Sequence, residues 1–119
     1  MWYHSKVFHG SQTGKKIGFP TINLDPTIIT DDIKTGIYSA QVKYQNKIYL
    51  GALYFGPRLV KNETNNILEI HILNFDQIIY GEEIEFVIGK YIRGVINFKT
   101  FKELKNQIEQ DIAGIKQLK

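Results

Sequence analysis

A chain of 119 residues, 43% hydrophobic and 23% charged, can bury a sizeable core and is too ordinary in composition to be disordered or fibrous. Its formal charge of +3 suits an anionic ligand and is too small to demand nucleic acid. The absence of cysteine excludes disulfides, thiolate zinc sites and cysteine nucleophiles, and no apolar run reaches the ~18 residues of a membrane-spanning helix.

In chain order, Val7 and Phe8 end a first strand. Gly10, Gly14 and Gly18 then recur every fourth residue, with Lys15 and Lys16 between the last two. Glycines spaced this way let backbone approach a ligand and aim successive N–H groups at it; the plain alternative is a surface turn. The spacing is neither a Walker A sequence nor a dinucleotide fingerprint. Residues 21–24 read as a short strand and 25–35 as a loop of turn formers. Residues 37–44 alternate, with Tyr38, Ala40, Val42 and Tyr44 on one face, and Gln45-Asn46-Lys47 turns the chain into a strand over 48–55. Gly56-Pro57 closes that strand, and the polar stretch 58–66 reads as a mobile flap.

A further strand over 67–75 sets Leu68, Ile70 and Ile72 on one face, with Glu69 and His71 on the other. Another runs over 83–92, where Ile84, Phe86 and Ile88 alternate with Glu83, Glu85 and Val87. The period then changes. Phe101, Leu104, Ile108, Ile112, Ile115 and Leu118 recur three or four apart, as in an amphipathic helix. Thr100 with Glu103 makes its capping box, and Gly114 weakens its last turn. Five or six strands followed by one helix predict a small antiparallel barrel with the helix packed outside.

Pro20-Thr21-Ile22-Asn23 adds chemistry to this frame. In an extended segment alternate side chains share a face, so the Thr21 hydroxyl and the Asn23 amide oxygen point the same way. Neither is charged, so they suit a magnesium ion that arrives with its phosphates rather than one bound unaided. Glu69 is either a solvated outward carboxylate or a base that takes a proton from a hydroxyl. His71 reads as its packed or hydrogen-bonding neighbour, and no metal-ligand spacing links it to His4 or His9. Arg93 is either a surface cation at the sheet end or a guanidinium that hydrogen-bonds or stacks on a planar ligand.

Taken together, several runs resemble the riboflavin kinase family in order and spacing. They are Val7-Phe8-His9-Gly10, the stretch from Gly14 to Leu24, Gly36-Ile37-Tyr38, the stretch from Leu68 to Leu73, Phe75-Asp76, Tyr80-Gly81, Ile92-Arg93, Phe98-Lys99 and the helix ending in Gln107-Ile108 and Asp111. The resemblance implies an all-β fold, a six-stranded antiparallel Greek-key barrel with one C-terminal helix. It implies transfer of the γ-phosphate of ATP to riboflavin, giving FMN, with Mg2+ as cofactor and riboflavin and ATP as partners. On the same ground Gly10, Gly14, Lys15, Gly18 and Pro20 belong to the loop that closes over the phosphates. Thr21 and Asn23 serve the magnesium nucleotide and its metal, Glu69 is the general base, and Arg93 with the 58–66 flap closes on the flavin.

The chain departs from the family pattern mainly on the flavin side. Tyr54 stands where many members have asparagine, Leu59-Val60 where they have Pro-Thr, and Val95 where an acidic residue is expected. Ile22 replaces a frequent alanine, and Asn74 and Ile78 replace common aspartates. The alternative function is therefore a degenerate module that binds flavin or nucleotide without turnover. A single-stranded nucleic-acid barrel is disfavoured, because the lysines are scattered rather than striped. The N-terminal adenylyltransferase domain of many bacterial relatives has no counterpart in the sequence, so FAD synthesis is not expected. The overall expectation is one soluble, cytoplasmic, monomeric domain over 1–119, with no membrane or nucleic-acid partner.

Overall fold

The structure is a computed structural model and describes residues 2–9, 18–57 and 65–118. Six strands arise from the alternating stretches: β1 (Tyr3–Lys6), β2 (Ile22–Leu24), β3 (Gly36–Tyr44), β4 (Lys47–Pro57), β5 (Asn66–Ile72) and β6 (Glu83–Arg93). All neighbouring pairs are antiparallel, in the sheet order β1-β6-β3-β4-β5-β2. This is a Greek-key type of order, since β1 lies beside β6 and β2 beside β5 rather than beside each other.

The pattern of alternation decides what faces in. β3 buries Ala40, Val42 and Tyr44 while Gln41 and Lys43 stay exposed, and β5 buries Leu68, Ile70 and Ile72. Val42, Leu53, Ile70 and Phe86 have no exposed surface at all and fill the barrel interior. Curling of the sheet brings its two edges together. Beyond the end of β1, the Phe8 N–H donates to the Asn23 carbonyl at 2.8 Å. That one bridge closes the barrel among the described residues and protects two strand edges that would otherwise be open.

Several element boundaries differ from the sequence reading. The first strand stops at Lys6, and Phe8 contributes only the closing bridge. Lys47 already belongs to β4, because Gln45 and Asn46 alone make the turn, with φ of 48° and 66°. Two left-handed residues match the twist of a two-residue hairpin. β5 ends at Ile72 rather than Phe75, since Asn74 takes a φ of 57° and turns the chain. The 25–35 loop contains one 3-10 turn, Pro26–Ile28, capped by the Asp25 carboxylate, which accepts the Thr27 N–H at 2.9 Å. Of the expected 58–66 flap, residues 58–64 lie outside the described residues, and Asn66 begins β5.

Where β3 meets β6 the register shifts twice, between Ile37 and Tyr38 and between Tyr38 and Ala40. Gly36 sits at this irregularity with a φ of 149°, and a Cβ there would lie 2.2 Å from the Arg93 carbonyl oxygen. Only glycine lets the two strands come this close.

The helix α1 (Phe101–Gln117) starts at Thr100, whose Oγ1 accepts the Glu103 N–H at 3.2 Å. It packs against β4 from outside the barrel. Its inward positions are Asp111 and Ile115, both buried, while Phe101 and Leu118 at its two ends are 56% and 44% exposed. The apolar stripe is thus exposed at both ends, and a buried carboxylate lies along it. Among the described residues no helix is long and apolar enough to cross a membrane.

Candidate active site

Strand register assembles the site. Asn23 on β2 lies opposite Glu69 on β5, and Glu69 lies opposite Tyr54 on β4. Tyr54 in turn faces Ile37 on β3, which faces Arg93 on β6. Directly opposed residues of an antiparallel pair share a face. Leu68 and Ile70 fill the interior, so Glu69 and its partners form a row along the outer wall of the barrel.

Thr21 joins this row just ahead of β2. Its hydroxyl donates to Glu69 Oε2 at 2.7 Å in a half-buried setting. Thr21, Asn23 and Glu69, expected from the sequence, are therefore brought together on one surface. Asn23 also borders a hollow of 350 Å³ shared with Phe8, His9, Pro26 and Ile67, beside the closing bridge. Immediately upstream, the Pro20 carbonyl lies 2.7 Å from His71 Nδ1, and the His71 ring stands edge-on to Phe19. Gly18 has a φ of 90°, a left-handed conformation suited to glycine. Gly10, Gly14 and Lys15 lie outside the described residues.

Arg93 has a different setting. Its Nε reaches both carboxylate oxygens of Asp111, at 3.0 and 3.1 Å, and its Nη2 lies 2.9 Å from Asp111 Oδ2. Nη1 donates to the Gly94 carbonyl at 3.0 Å, and the guanidinium lies over the Phe98 ring. The side chains are only 16% and 4% exposed, and Gln107 Nε2 adds a third donor to Asp111 at 3.1 Å. This fork ties α1 to the end of β6.

Tyr54 stands between the two charged groups. Burial, then the negative Glu69, push its phenol up to about 12, and Arg93 partly offsets them. The protonated hydroxyl donates to the Pro57 carbonyl. A Cβ on Gly56 would meet Tyr54 Oη at 3.0 Å and Val95 Cγ2 at 3.1 Å. Tyr54 and Val95, two of the off-pattern residues, thus pack together over one glycine.

The sequence reading did not assign partners to three groups: Asp111, the His71 ring and the Tyr54 hydroxyl. Only Asp111 carried a local signal. It lies three residues after Ile108 and four before Ile115, an acidic side chain on the apolar stripe, and such a group needs a buried cation or donor.

The fold and site define a small antiparallel barrel with a Thr–Asn pair set against a carboxylate on its outer wall. The chain belongs to the riboflavin kinase family, whose sequence model matches residues 1–119. The bifunctional riboflavin kinase/FMN adenylyltransferase of Haemophilus influenzae is 37% identical over 112 residues, covering 93% of this chain and 36% of that protein. A crystal structure described as a macrolide-efflux protein from Streptococcus pneumoniae matches with a TM-score of 0.81 and 26% identity, over 97% of this chain and 38% of that one. The riboflavin kinase of Trypanosoma brucei matches with a TM-score of 0.69 at 20% identity, over 98% of this chain and 78% of that one, a likeness of fold. The chain spans 36% of the length of the first curated relatives it matches.

Proposed function

We propose that this chain transfers the γ-phosphoryl group of ATP to the terminal ribityl hydroxyl of riboflavin, giving FMN and ADP. The observation that carries this reading is the 2.7 Å contact between the Thr21 hydroxyl and Glu69 Oε2. It supports the reading because a neutral hydroxyl suited to a phosphate-bound cation lies beside a carboxylate able to accept a proton.

In this reading Glu69 orients the riboflavin hydroxyl and takes its proton through Oε1 as the oxygen bonds to the γ-phosphorus. The bond from that phosphorus to the β,γ-bridging oxygen breaks, and ADP leaves with the bond's electrons. Thr21 and Asn23 would hold Mg2+, which neutralises phosphate charge when bound. The donor set fits such an ion, because both side chains offer hard but uncharged oxygens, which suit a magnesium ion that brings its own phosphate ligands. Metal binding should therefore require nucleotide. The glycine loop, including Gly10, Gly14, Lys15 and Gly18, would close over the phosphates, and Arg93 with Tyr54 would border the flavin.

Incubation with riboflavin, ATP and Mg2+, followed by product identification, tests the reading. FMN is expected from the wild type and not from Glu69→Gln; a wild type that binds both substrates and forms no FMN would overturn it. One observation favours the binding-module alternative. The Arg93 guanidinium, expected at the flavin, is held by Asp111 and Gly94. Flavin fluorescence titration showing tight binding without turnover would select that alternative.

A further inference from the structure

The β2–β5 ladder stops at Ile22↔Ile70, yet Thr21 is the residue whose hydroxyl reaches Glu69. Main-chain pairing cannot extend through Pro20, which has no N–H to give. Continuing the register by one position sets His71 opposite Thr21. The His71 ring spans the gap instead, with Nδ1 2.7 Å from the Pro20 carbonyl oxygen. A carbonyl only accepts, so Nδ1 carries the proton in this contact. The Phe19 ring, 5.5 Å away and perpendicular at 88°, fixes the orientation of the imidazole.

This contact controls more than one carbonyl. The Pro20 C=O and the Thr21 N lie in one rigid peptide plane. That plane also contains the Thr21 Cα, so holding the carbonyl fixes where the Thr21 Cα sits, and with it the reach of the hydroxyl to Glu69.

We propose that His71 is a positioning residue for the nucleotide half of the site: its Nδ1–H holds the Pro20 carbonyl where the ladder has stopped and so sets Thr21 and Asn23 for a magnesium nucleoside phosphate. The inference rests on the functional reading above. His71 touches no reacting atom. Its loss frees rotation about Pro20 and leaves Tyr54 and Arg93, on the far side of Glu69, where they are.

Two substitutions separate hydrogen bonding from packing. His71→Phe keeps a ring against Phe19 and removes the donor. His71→Asn loses the ring but can place an amide N–H near the former Nδ1–H. His71→Phe is expected to raise KM for the magnesium nucleotide by about 3- to 10-fold, the worth of one hydrogen bond. KM for riboflavin should stay within about 2-fold, on the same hydrogen-bond scale, and His71→Asn should recover most of the loss. Equal nucleotide KM in wild type and His71→Phe overturns the inference. So does an equal rise for both substrates, or His71→Asn performing worse than His71→Phe.

Calorimetric binding of Mg-ADP to the same proteins keeps the inference separable from the functional reading. If the wild type makes no FMN, that reading fails, while weaker Mg-ADP binding by His71→Phe still supports the positioning role and equal binding overturns it. If His71→Phe does not fold, the wild-type ring decides. Nitrogen-15 NMR is expected to show Nδ1 protonated, and a neutral ring protonated only at Nε2 overturns the assignment.

Discussion

One oxygen of Glu69 accepts the Thr21 hydroxyl at 2.7 Å, and in the proposed reading Oε1 serves a substrate hydroxyl. In that reading the carboxylate joins the nucleotide side to the acceptor side. Glu69→Gln keeps the shape and can still accept a hydrogen bond but is a far weaker base. A fall in kcat of about 10²- to 10⁴-fold is expected, with thermal unfolding little changed, because the side chain is only half-buried. Thr21→Val keeps the branched shape and removes the donor; weaker Mg-ADP binding is expected by calorimetry. The alignment of Thr21 with Asn23 and the outward setting of Glu69 were legible because each pattern is local, whereas their grouping rested on the family resemblance, since no local rule pairs β2 with β5. A Thr-x-Asn step in an extended segment puts two oxygens on one side, and alternation puts Glu69 opposite the core face. The Tyr54 environment was not legible, since it depends on how strands β4, β5 and β6 fall into register.

At the level of elements, α1 is fastened by an ion pair as well as by apolar contact. Removing one member of a buried pair leaves the other charged, desolvated and unmatched, a cost of about 3–5 kcal/mol. Asp111→Ala is expected to destabilise by that order in chemical denaturation, while a paired Arg93→Met, Asp111→Leu variant recovers much of the loss. Thr100→Ala removes the acceptor for the Glu103 N–H and should cost about 1 kcal/mol. The helix itself was readable from its period and from Thr100-x-x-Glu103. Its depth was not, because periodicity gives the direction of a face and not how much sheet lies beneath it. Phe101 and Leu118 fit the stripe yet stay exposed.

For the whole molecule, several phenols are held protonated by the fold. Tyr54 is pushed up to about 12, chiefly by burial. Tyr3 and Tyr44 are raised by donating to the Asp31 and Glu82 carboxylates, and Tyr38 by burial. A raised phenol favours the neutral form in the folded state. Its stabilisation is complete below the ordinary value of 10.0 and is lost as pH climbs toward 12. Melting temperature is therefore expected to fall across that interval, less steeply in Tyr54→Phe, and tyrosinate absorbance should show one group ionising last in the native protein. The barrel class was legible from five or six strand-like stretches and one change of period. The order β1-β6-β3-β4-β5-β2 was not, since no local rule pairs Tyr3 with Phe86.

That order also has a consequence in time. β1 can pair only with β6 in this sheet, and the Phe8–Asn23 bridge beside the candidate site can form only when β1 is in place. During synthesis the first strand must wait for residues 83–93 to leave the ribosome before it has a partner. The hairpin of β3 and β4 can form early, but the candidate site can be completed only in the last folding step, a slow one governed by distant contacts. A nascent chain truncated before β6 is thus expected to gain hairpin structure without any capacity to bind Mg-ADP.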